Sequence, residues 1–338
     1  MKISQLYTYP IKSLRPTALS ETAVTRHGFP YDRKYMLLRV RPDRYEPMQV
    51  SKVTAMTLFF TRIIFPDEDE SGAGSIVVTF RPPGGQEKQL SVPLQPDVTG
   101  LDTVEVTMYR SGLDGYKMQE SFNKWFSDCF GYDVVLVHVG NNTRPSLFGE
   151  QEIDKPTGSW FSSITSLVPS LAMSKPDYDQ LTFTDCASYL VVSQKSLDDV
   201  SSRLPDGEEM DITKFRPNVV VDGAESAWEE DLWGAVRLGD AEISLRHNCG
   251  RCPSINIDYS TGKPGTGEAG TILKKLQKDR RIDTGSKYSP VFGRYGFLEP
   301  KDDAKRVRIG DEVFVTKRNS EPTTWSALPI EKKCQNPR

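Results

Sequence analysis

Cysteine and histidine are scarce in this sequence of 338 residues, which contains five cysteines and three histidines. Cys129, Cys186 and Cys334 stand apart from one another, and only Cys249 and Cys252 form a close pair. Few, odd-numbered and scattered cysteines are unlike the disulfide frameworks of small secreted domains. The cysteine pattern therefore predicts a protein that folds in a reducing compartment.

An apolar run long enough to cross a membrane is also absent. The most apolar stretch, residues 56–65, is too short to span a bilayer and includes Arg62. The first ten residues alternate like a strand and lack the apolar centre of a signal peptide. We therefore predict no membrane-spanning segment and expect a cytoplasmic protein, with mitochondrial association as the alternative.

A strong excess of charge of either sign is lacking as well. The sequence has 43 lysines and arginines against 46 aspartates and glutamates, which gives a net charge of -3. This balance argues against nucleic acid as the main partner. With 37% hydrophobic and 26% charged residues, the composition is that of an ordinary globular protein. The length favours two domains or one large bilobal unit.

Periodicity and turn residues predict many strands and few helices. Aromatic residues of the segment 121–130 lie on one face of a predicted helix, where Cys129 is expected to fill space in the core. Residues 140–180 lose periodicity, which predicts a long connection or a pocket-lining loop and a domain boundary near residue 150. Further predicted elements are single strands at 2–10, 34–40, 75–80, 102–109, 188–193, 217–223 and 306–317, two strands within 233–247, and helices at 194–204 and 269–281. The predicted units are thus 1–150, 151–317 and a polar, disordered tail at 318–338.

The close cysteine pair lies in the stretch RHNCGRCPSINIDYSTGKPG, residues 246–265. A structural zinc site usually needs two close ligand pairs, whereas the three histidines and the other cysteines are isolated. A thioredoxin-like dithiol lies where a helix begins, but Ile255 and Ile257 alternate like a strand. A single functional thiolate at Cys252 fits better, because the adjacent Arg251 would favour the ionised sulfur. Zinc and the dithiol remain alternatives.

Seven motifs follow one another in a recognisable order: YPIKSL (9–14), YDRKYML (31–37), FRPNVVVDG (215–223), AWEEDLWGAVRLGD (227–240), CGRC (249–252), FGRYGFLE (292–299) and VRIGDEV (307–313). Together they closely resemble the MOSC-domain molybdenum enzymes, in particular the mitochondrial amidoxime-reducing components and their bacterial relatives. The resemblance extends from residue 1 to about residue 317. It implies a strand-rich α+β fold in which a β-barrel MOSC core packs against a β-rich N-terminal domain.

The resemblance also implies a molybdenum cofactor, a metal-binding pterin that ends in a phosphate. The residue that matches the family's molybdenum ligand is Cys252, and Cys249 is then its structural neighbour. A thiolate suits this metal, and basic and hydroxyl side chains suit a phosphate. The positions that match the phosphate contacts are Lys12, Ser13, Arg33 and Arg216. Matches to other cofactor contacts are Asn218, Tyr295, Cys186, Ala187, Gly250 and Arg251.

Two of these matches depart from the family pattern. Cys186 and Ala187 stand where relatives often have Thr and Ser, so only backbone donors can replace the missing hydroxyl. Gly250 stands where relatives often have Ser. The resemblance therefore implies a cofactor site whose detailed hydrogen bonding differs from that of the relatives.

The function implied by the resemblance is the molybdenum-dependent reduction of N-hydroxylated compounds such as amidoximes, hydroxylamines and N-oxides. Removing the oxygen as water needs two electrons. One alternative is a non-catalytic carrier or handling protein for the cofactor, because MOSC modules also occur in cofactor sulfuration. Another alternative is an interaction module stabilised by zinc.

We predict that the purified chain does not use NADH or NADPH directly. After Cys252 the sequence contains only Cys334, too few cysteines for a plant-type iron–sulfur cluster, and the dinucleotide fingerprint GxGxxG is missing. By resemblance, electrons come from a b-type cytochrome served by a flavoprotein reductase. Substrate reduction with NADH should require both added proteins and should slow as ionic strength rises. Robust turnover by the chain alone would contradict this prediction.

Overall fold

A computed structural model describes residues 1–69, 71–109, 111–146 and 180–325. The described part is rich in strands and contains three α-helices, which confirms the strand-rich α+β class. No helix in these ranges is long and apolar enough to cross a membrane. The predicted boundary near residue 150 and most of the predicted long connection lie outside the described residues.

The N-terminal part contains eleven strands and one helix within its described residues: β1 (Lys2–Thr8), β2 (Thr17–Leu19), β3 (Glu21–Ala23), β4 (Tyr35–Val40), β5 (Tyr45–Pro47), β6 (Phe59–Ile64), β7 (Ser75–Phe80), β8 (Lys88–Pro93), β9 (Thr103–Met108), β10 (Ser111–Lys117), α1 (Glu120–Phe130) and β11 (Val134–His138). Four of these strands and the helix match predicted segments. The sequence analysis did not predict the other seven strands, β2, β3, β5, β6, β8, β10 and β11.

The remaining described elements run from residue 144 onward: β12 (Arg144–Pro145), β13 (Gln180–Leu181), β14 (Tyr189–Ser193), α2 (Gln194–Ser202), β15 (Val219–Asp222), β16 (Trp233–Leu238), β17 (Ala241–Gly250), β18 (Ile257–Asp258), β19 (Lys263–Pro264), α3 (Ile272–Leu276), β20 (Val291–Leu298), β21 (Arg306–Arg308) and β22 (Val313–Arg318). Short 3₁₀ helices occur at Thr54–Leu58, Ile212–Phe215, Glu229–Leu232, Pro253–Asn256, Ala269–Thr271, Thr284–Ser286 and Pro300–Asp302. The single strand predicted at 306–317 is wrong, because a turn that includes Gly310 at φ 93° separates β21 from β22.

The largest sheet has eight strands in the order β2-β1-β15-β14-β20-β17-β16-β22. In it, β1 pairs antiparallel with β15, so that Leu6 lies opposite Val219. The sheet curls back on itself, because the amide of Val313 donates to the carbonyl of Met1 at 2.9 Å. Strands from both ends of the chain therefore share one nearly closed barrel, and the first strands do not belong to a separate N-terminal sheet.

A second core lies under α1 and the sheet of β6, β7 and β8. Phe126 of α1 is fully buried, and Phe122, Trp125 and Cys129 pack partly buried against the same cluster. This confirms the predicted aromatic face of the helix. Burial raises the pKa of the Cys129 thiol to about 11, so the group stays protonated and acts as an apolar filler. Burying each large aromatic side chain contributes roughly 1.5–3 kcal/mol to folding.

A buried ion pair holds the start of β20. Arg280 donates to both carboxylate oxygens of Asp231 at 2.7 and 2.8 Å, and both side chains are more than nine-tenths buried. The Arg280 guanidinium also lies 3.8 Å from the ring centre of Trp228. The Arg280 carbonyl accepts from the amide of Val291, the first residue of β20. The pair thereby fixes a strand that carries Tyr295 of the predicted site.

We predict that Arg280→Ala lowers the free energy of unfolding by about 3–5 kcal/mol, because the carboxylate of Asp231 would be left buried and unpaired. Chemical denaturation of the purified variant measures this change. The matched control is Lys124→Ala, which removes an exposed ion pair with Asp128 on α1 and should leave stability almost unchanged. Equal stability of the two variants would contradict the assigned role of the buried pair.

Candidate functional site

One cavity of about 350 Å³ collects residues from both ends of the chain. The eleven residues that the sequence analysis assigned to the site all line it: Lys12, Ser13, Arg33, Cys186, Ala187, Arg216, Asn218, Gly250, Arg251, Cys252 and Tyr295. The pairing of β1 with β15 explains how segments about two hundred residues apart meet, because Lys12 and Ser13 follow β1 and Arg216 and Asn218 lie just before β15. The roles assigned to the individual residues stay predictions.

Four residues that line the cavity have a left-handed backbone that is unusual for residues other than glycine. Ser13, Arg33, Tyr109 and Arg216 have φ angles of 71°, 49°, 47° and 59°. Such a conformation costs on the order of 1–3 kcal/mol for a residue with a side chain, and it concentrates at functional sites. The surrounding structure therefore holds these four side chains in place at a local energetic cost.

One end of the cavity has three cationic side chains, two of which have carboxylate partners. Lys12 and Arg33 are 4% and 7% exposed, and Arg216 is half-buried beside them. The Nη1 atom of Arg216 donates to the carbonyl of Leu14 at 2.9 Å, whereas its buried Nη2 atom has no acceptor among the described residues. A buried donor of positive charge without an acceptor is costly. This end of the cavity is therefore suited to an anion such as a phosphate.

The aromatic ring of Tyr9 supports two of these cations. The guanidinium carbons of Arg33 and Arg216 lie 4.4 and 4.3 Å from the centre of its ring. Tyr9 is fully buried, and its amide donates to Asp32, which also accepts from Arg33 at 2.5 Å. Cation–π attraction stabilises a desolvated guanidinium without neutralising its charge. The ring therefore keeps both arginines ordered while leaving them able to bind an anion.

The side chain of Asn218 links strands as well as lining the cavity. Its Oδ1 atom accepts from the amide of Leu190 at 3.2 Å, and its Nδ2 atom donates to the carbonyl of Tyr7 at 3.2 Å. Asn218 therefore already makes two structural hydrogen bonds, which limits its predicted contact with a cofactor. An amide nitrogen carries two protons, so one Nδ2 proton remains available for a ligand.

Asp185 is a cavity residue that the sequence analysis missed. Its carboxylate forms an ion pair with Lys12 and accepts from the hydroxyl of Tyr109 at 3.2 Å. Burial alone would raise the pKa of Asp185, but the Lys12 ammonium overrides this effect and lowers the pKa below its usual value. Burial likewise lowers the pKa of Lys12, and Asp185 partly offsets this effect. The sequence feature that could have indicated Asp185 is its position directly before Cys186, which was already assigned to the site.

Arg144 was also missed, and it shapes the loop that carries Asp185. The side chain is fully buried and donates to the carbonyls of Thr184 and Asp185 at 2.6 and 2.5 Å. It also donates to the hydroxyl of Ser111 at 2.9 Å. One guanidinium thereby fixes several carbonyl groups of the loop, which places the following residues, Cys186 and Ala187, along the cavity.

The two cysteines of the CGRC motif differ in environment. Cys249 is 2% exposed, and Arg251 donates to its sulfur at 2.6 Å and to the carbonyl of Phe215 at 2.5 Å. Cys252 is exposed. The hydrogen bond of Arg251 thus goes to Cys249, and the prediction that its charge favours an ionised Cys252 sulfur stays a prediction. Successive residues of an extended chain point to opposite sides, so Arg251 shares a side with Cys249.

The strand-like alternation predicted for Ile255 and Ile257 is wrong at Ile255, whereas Ile257 begins β18. Residues Pro253–Asn256 form a short 3₁₀ helix that Cys252 precedes. Proline favours the first position of a helical turn because its φ angle is already suitable and its missing N–H is not needed there. This turn brings the hydroxyl of Ser254 within 3.1 Å of the Cys252 sulfur. The exposed thiol thus has one polar neighbour and an open side.

Cys186, Ala187 and Tyr295 line a less polar part of the cavity. They pack around a small cluster that includes Leu181 and Phe297. Burial raises the pKa of the Cys186 thiol, and nearby Asp185 raises it further, so this group is a neutral thiol at neutral pH. Ala187 has no polar side-chain atom, which leaves its backbone as the only source of polar contacts there.

The donor set decides which group the cavity could hold. Within the described ranges, no cluster of three or more His, Cys, Asp or Glu side chains could bind a metal ion by itself. A metal that arrives already held by another group needs fewer protein ligands, and one exposed thiol suits such a metal. The cationic end, with the unpaired Nη2 of Arg216, suits a phosphate. The residues present therefore fit a molybdenum-carrying pterin phosphate.

Comparisons with known proteins agree with this geometry. The MOSC domain family matches residues 178–314, and the MOSC N-terminal beta barrel domain family matches residues 1–133. Mitochondrial amidoxime-reducing component 1 of Danio rerio is 32% identical over 299 residues, which cover 87% of this chain and 79% of that protein. The Mus musculus protein of that name is 26% identical, and the match covers 93% of this chain and 82% of that protein. A molybdenum cofactor sulfurase of Arabidopsis thaliana is 24% identical and covers 92% of this chain but 35% of that protein.

We predict that Arg33→Ala and Arg216→Ala each weaken retention of a pterin phosphate by about tenfold or more. A charge-assisted hydrogen bond contributes roughly 1.5–3 kcal/mol, and 1.4 kcal/mol corresponds to a factor of ten in affinity. Molybdenum and pterin content after extensive dialysis measures the loss. Arg41→Ala, which removes a partly exposed arginine outside the cavity, is the control and should retain full content. Full loading of both cavity variants would refute the assignment to phosphate.

Proposed function

Because the chain belongs to the family of MOSC-domain proteins that includes the mitochondrial amidoxime-reducing components, we propose that it is a molybdenum-dependent reductase of N-hydroxylated compounds. The observation that carries this proposal is the presence, in one cavity, of an exposed thiol and a buried cationic end with an unpaired donor. The first suits a metal and the second suits a phosphate. Such a pair is expected of a site that holds both ends of a metal-carrying pterin.

The chemistry that the bound cofactor supplies is the transfer of two electrons to the N–O bond of the substrate. In our proposal, the sulfur of Cys252 binds the metal, and the hydroxyl of Ser254 can donate to this sulfur at 3.1 Å. A hydrogen bond to a thiolate lowers its electron density and is one way in which a protein tunes a metal. Lys12, Arg33 and Arg216 hold the phosphate, and Asn218 restricts the position of the ring system.

The groups beside the thiol also control charge and protons. The hydroxyl of Tyr109 donates to Asp185, and this carboxylate remains ionised because Lys12 lies against it. Asp185 raises the pKa of Tyr109, so the phenol keeps its proton at neutral pH. The phenol of Tyr109 therefore adds no negative charge to the site, and its single proton is held by Asp185.

A second candidate is a non-catalytic carrier or handling protein for the same cofactor. The similarity to a molybdenum cofactor sulfurase supports this candidate, although the matched part is about a third of that protein. Both candidates need the cationic end and the thiol. They differ in turnover, because only a reductase consumes electrons and an N-hydroxylated compound in fixed proportion.

We predict that Cys252→Ala abolishes reduction of an amidoxime, whereas Cys249→Ala keeps most of the activity. The first change removes the proposed metal ligand, and the second removes a packed thiol at a cost of about 1 kcal/mol of stability. The assay uses protein loaded with cofactor and supplied with an external electron donor, together with molybdenum analysis of both variants. Equal loss of activity in the two variants with folding intact would argue against a single thiolate ligand. Loaded wild-type protein without turnover would favour the carrier.

A further inference from the structure

The chain returns to the cavity after its last strand. Residues 319–325, which we name the C-terminal strap, begin where the amide of Asn319 donates to the carbonyl of Leu232 at 2.8 Å. They reach the cavity at Trp325, whose amide donates to Asp283 at 2.9 Å. The sequence analysis assigned this stretch to a disordered tail. Arg318 instead completes β22, and the strap is held against the site, whereas residues 326–338 lie outside the described residues.

Three fully buried polar side chains hold the strap. Asn248 donates to the carbonyl of Thr323 at 2.5 Å, and Arg294 donates to the hydroxyl of the same residue at 2.7 Å. Asn248 also donates to Asp283 at 3.0 Å, and Asn248, Asp283 and Arg294 are at most 2% exposed. Buried polar groups need partners, and the strap supplies several of them. The strap is therefore an integral part of the site wall.

The backbone of the strap approaches Gly285 so closely that no side chain fits there. A β-carbon on Gly285 would lie 1.9 Å from the carbonyl oxygen of Trp325. Such a contact is far below any van der Waals distance, so only glycine allows the strap to sit in this position. The close approach gives a second, independent indication that the fold is built around the strap.

The indole of Trp325 closes the less polar part of the cavity. It packs against the cluster of Leu181, Ala187 and Phe297, next to Cys186, and it is only partly buried. The cavity thus has a charged part and an apolar part with a large flat side chain.

We propose that Trp325 is a specificity-determining residue that contacts the non-reacting group of the substrate and favours a flat apolar group there. This inference rests on the proposed function, because it names the kind of N-hydroxylated compound that the site prefers. An indole face stacks on aromatic groups and offers little to a small aliphatic group. The bond from its backbone amide to Asp283, which Asn248 also contacts, fixes the backbone of Trp325 at the cavity and lowers the entropic cost of placing the indole there.

The test compares benzamidoxime with acetamidoxime, which differ in a phenyl and a methyl group. Cofactor-loaded wild type, Trp325→Ala, Trp325→Leu and Trp325→Phe are assayed for kcat/KM with reduced methyl viologen as electron donor. Equilibrium dialysis gives the Kd of benzamidoxime for each protein, and metal and pterin contents are measured. The control is Tyr288→Ala, which removes a 71% exposed aromatic ring that does not line the cavity.

We expect Trp325→Ala and Trp325→Leu to lower the preference for benzamidoxime, and its affinity, about three- to tenfold. For Trp325→Phe, the preference and the affinity for benzamidoxime should stay within about twofold of the wild-type values. For Tyr288→Ala, both should equal the wild-type values. Leucine keeps the apolar packing of the strap, so its effect separates loss of a flat ring from loss of structure.

Three results would overturn the inference. An equal fall for both compounds would assign Trp325 a structural role, and a fall in pterin content would assign the indole to the cofactor. An unchanged preference and Kd would exclude the contact. If loaded wild type reduces neither compound, the proposed function fails, and the dialysis measurement still decides whether Trp325 binds the phenyl group.

Discussion

The antiparallel pairing of β1 with β15 is the contact on which the site depends. It puts Leu6 opposite Val219, so the residues after β1 and those before β15 emerge at the same edge of the sheet. Lys12 and Ser13 follow the first strand, and Arg216 lies just before the second. A one-residue slip of this register would turn every β1 side chain to the other face. The backbone ladder therefore sets the position of cationic side chains that are two hundred residues apart.

Burying the positive charge of the cationic end costs free energy that a bound anion would reduce. Arg33 and Lys12 have carboxylate partners in Asp32 and Asp185, whereas Arg216 relies on a carbonyl and on the ring of Tyr9. Burial lowers the pKa of Arg216, which expresses the cost of keeping the charge there. A ligand that relieves this cost binds only the folded chain and so stabilises it by mass action. Anion binding and folding stability are coupled in this site.

Sequence patterns predicted the parts of the fold and site that depend on neighbouring residues. The apolar strand β4 and the aromatic face of α1 follow from local patterns, and the residues of the cavity were identified through the resemblance of their motifs to MOSC-domain proteins. Asp185, Arg144 and Trp325 could not be found in this way, because their significance comes from partners that the fold supplies. Arg144, for example, bonds carbonyls about forty residues away. An aspartate in a loop or a tryptophan in a polar tail gives no local sign of such a role.

The hydrogen bond between Arg251 and Cys249 could have been predicted from the sequence. An extended backbone sends neighbouring side chains to opposite sides, so Arg251 shares a side with Cys249. Likewise, Pro253 was a sufficient reason to expect a helical turn in place of a strand. These two features were readable from the sequence, whereas the long-range partners were not.

The near closure of the barrel between Met1 and Val313 has a consequence for biosynthesis. β1 can pair with β2 as soon as both strands have been synthesised, whereas its pairing with β15 and the contact between Met1 and Val313 must wait for segments much later in the sequence. Pairings between distant segments form late and slowly. The sheet that supports the cavity is therefore complete only after residue 313 has been synthesised.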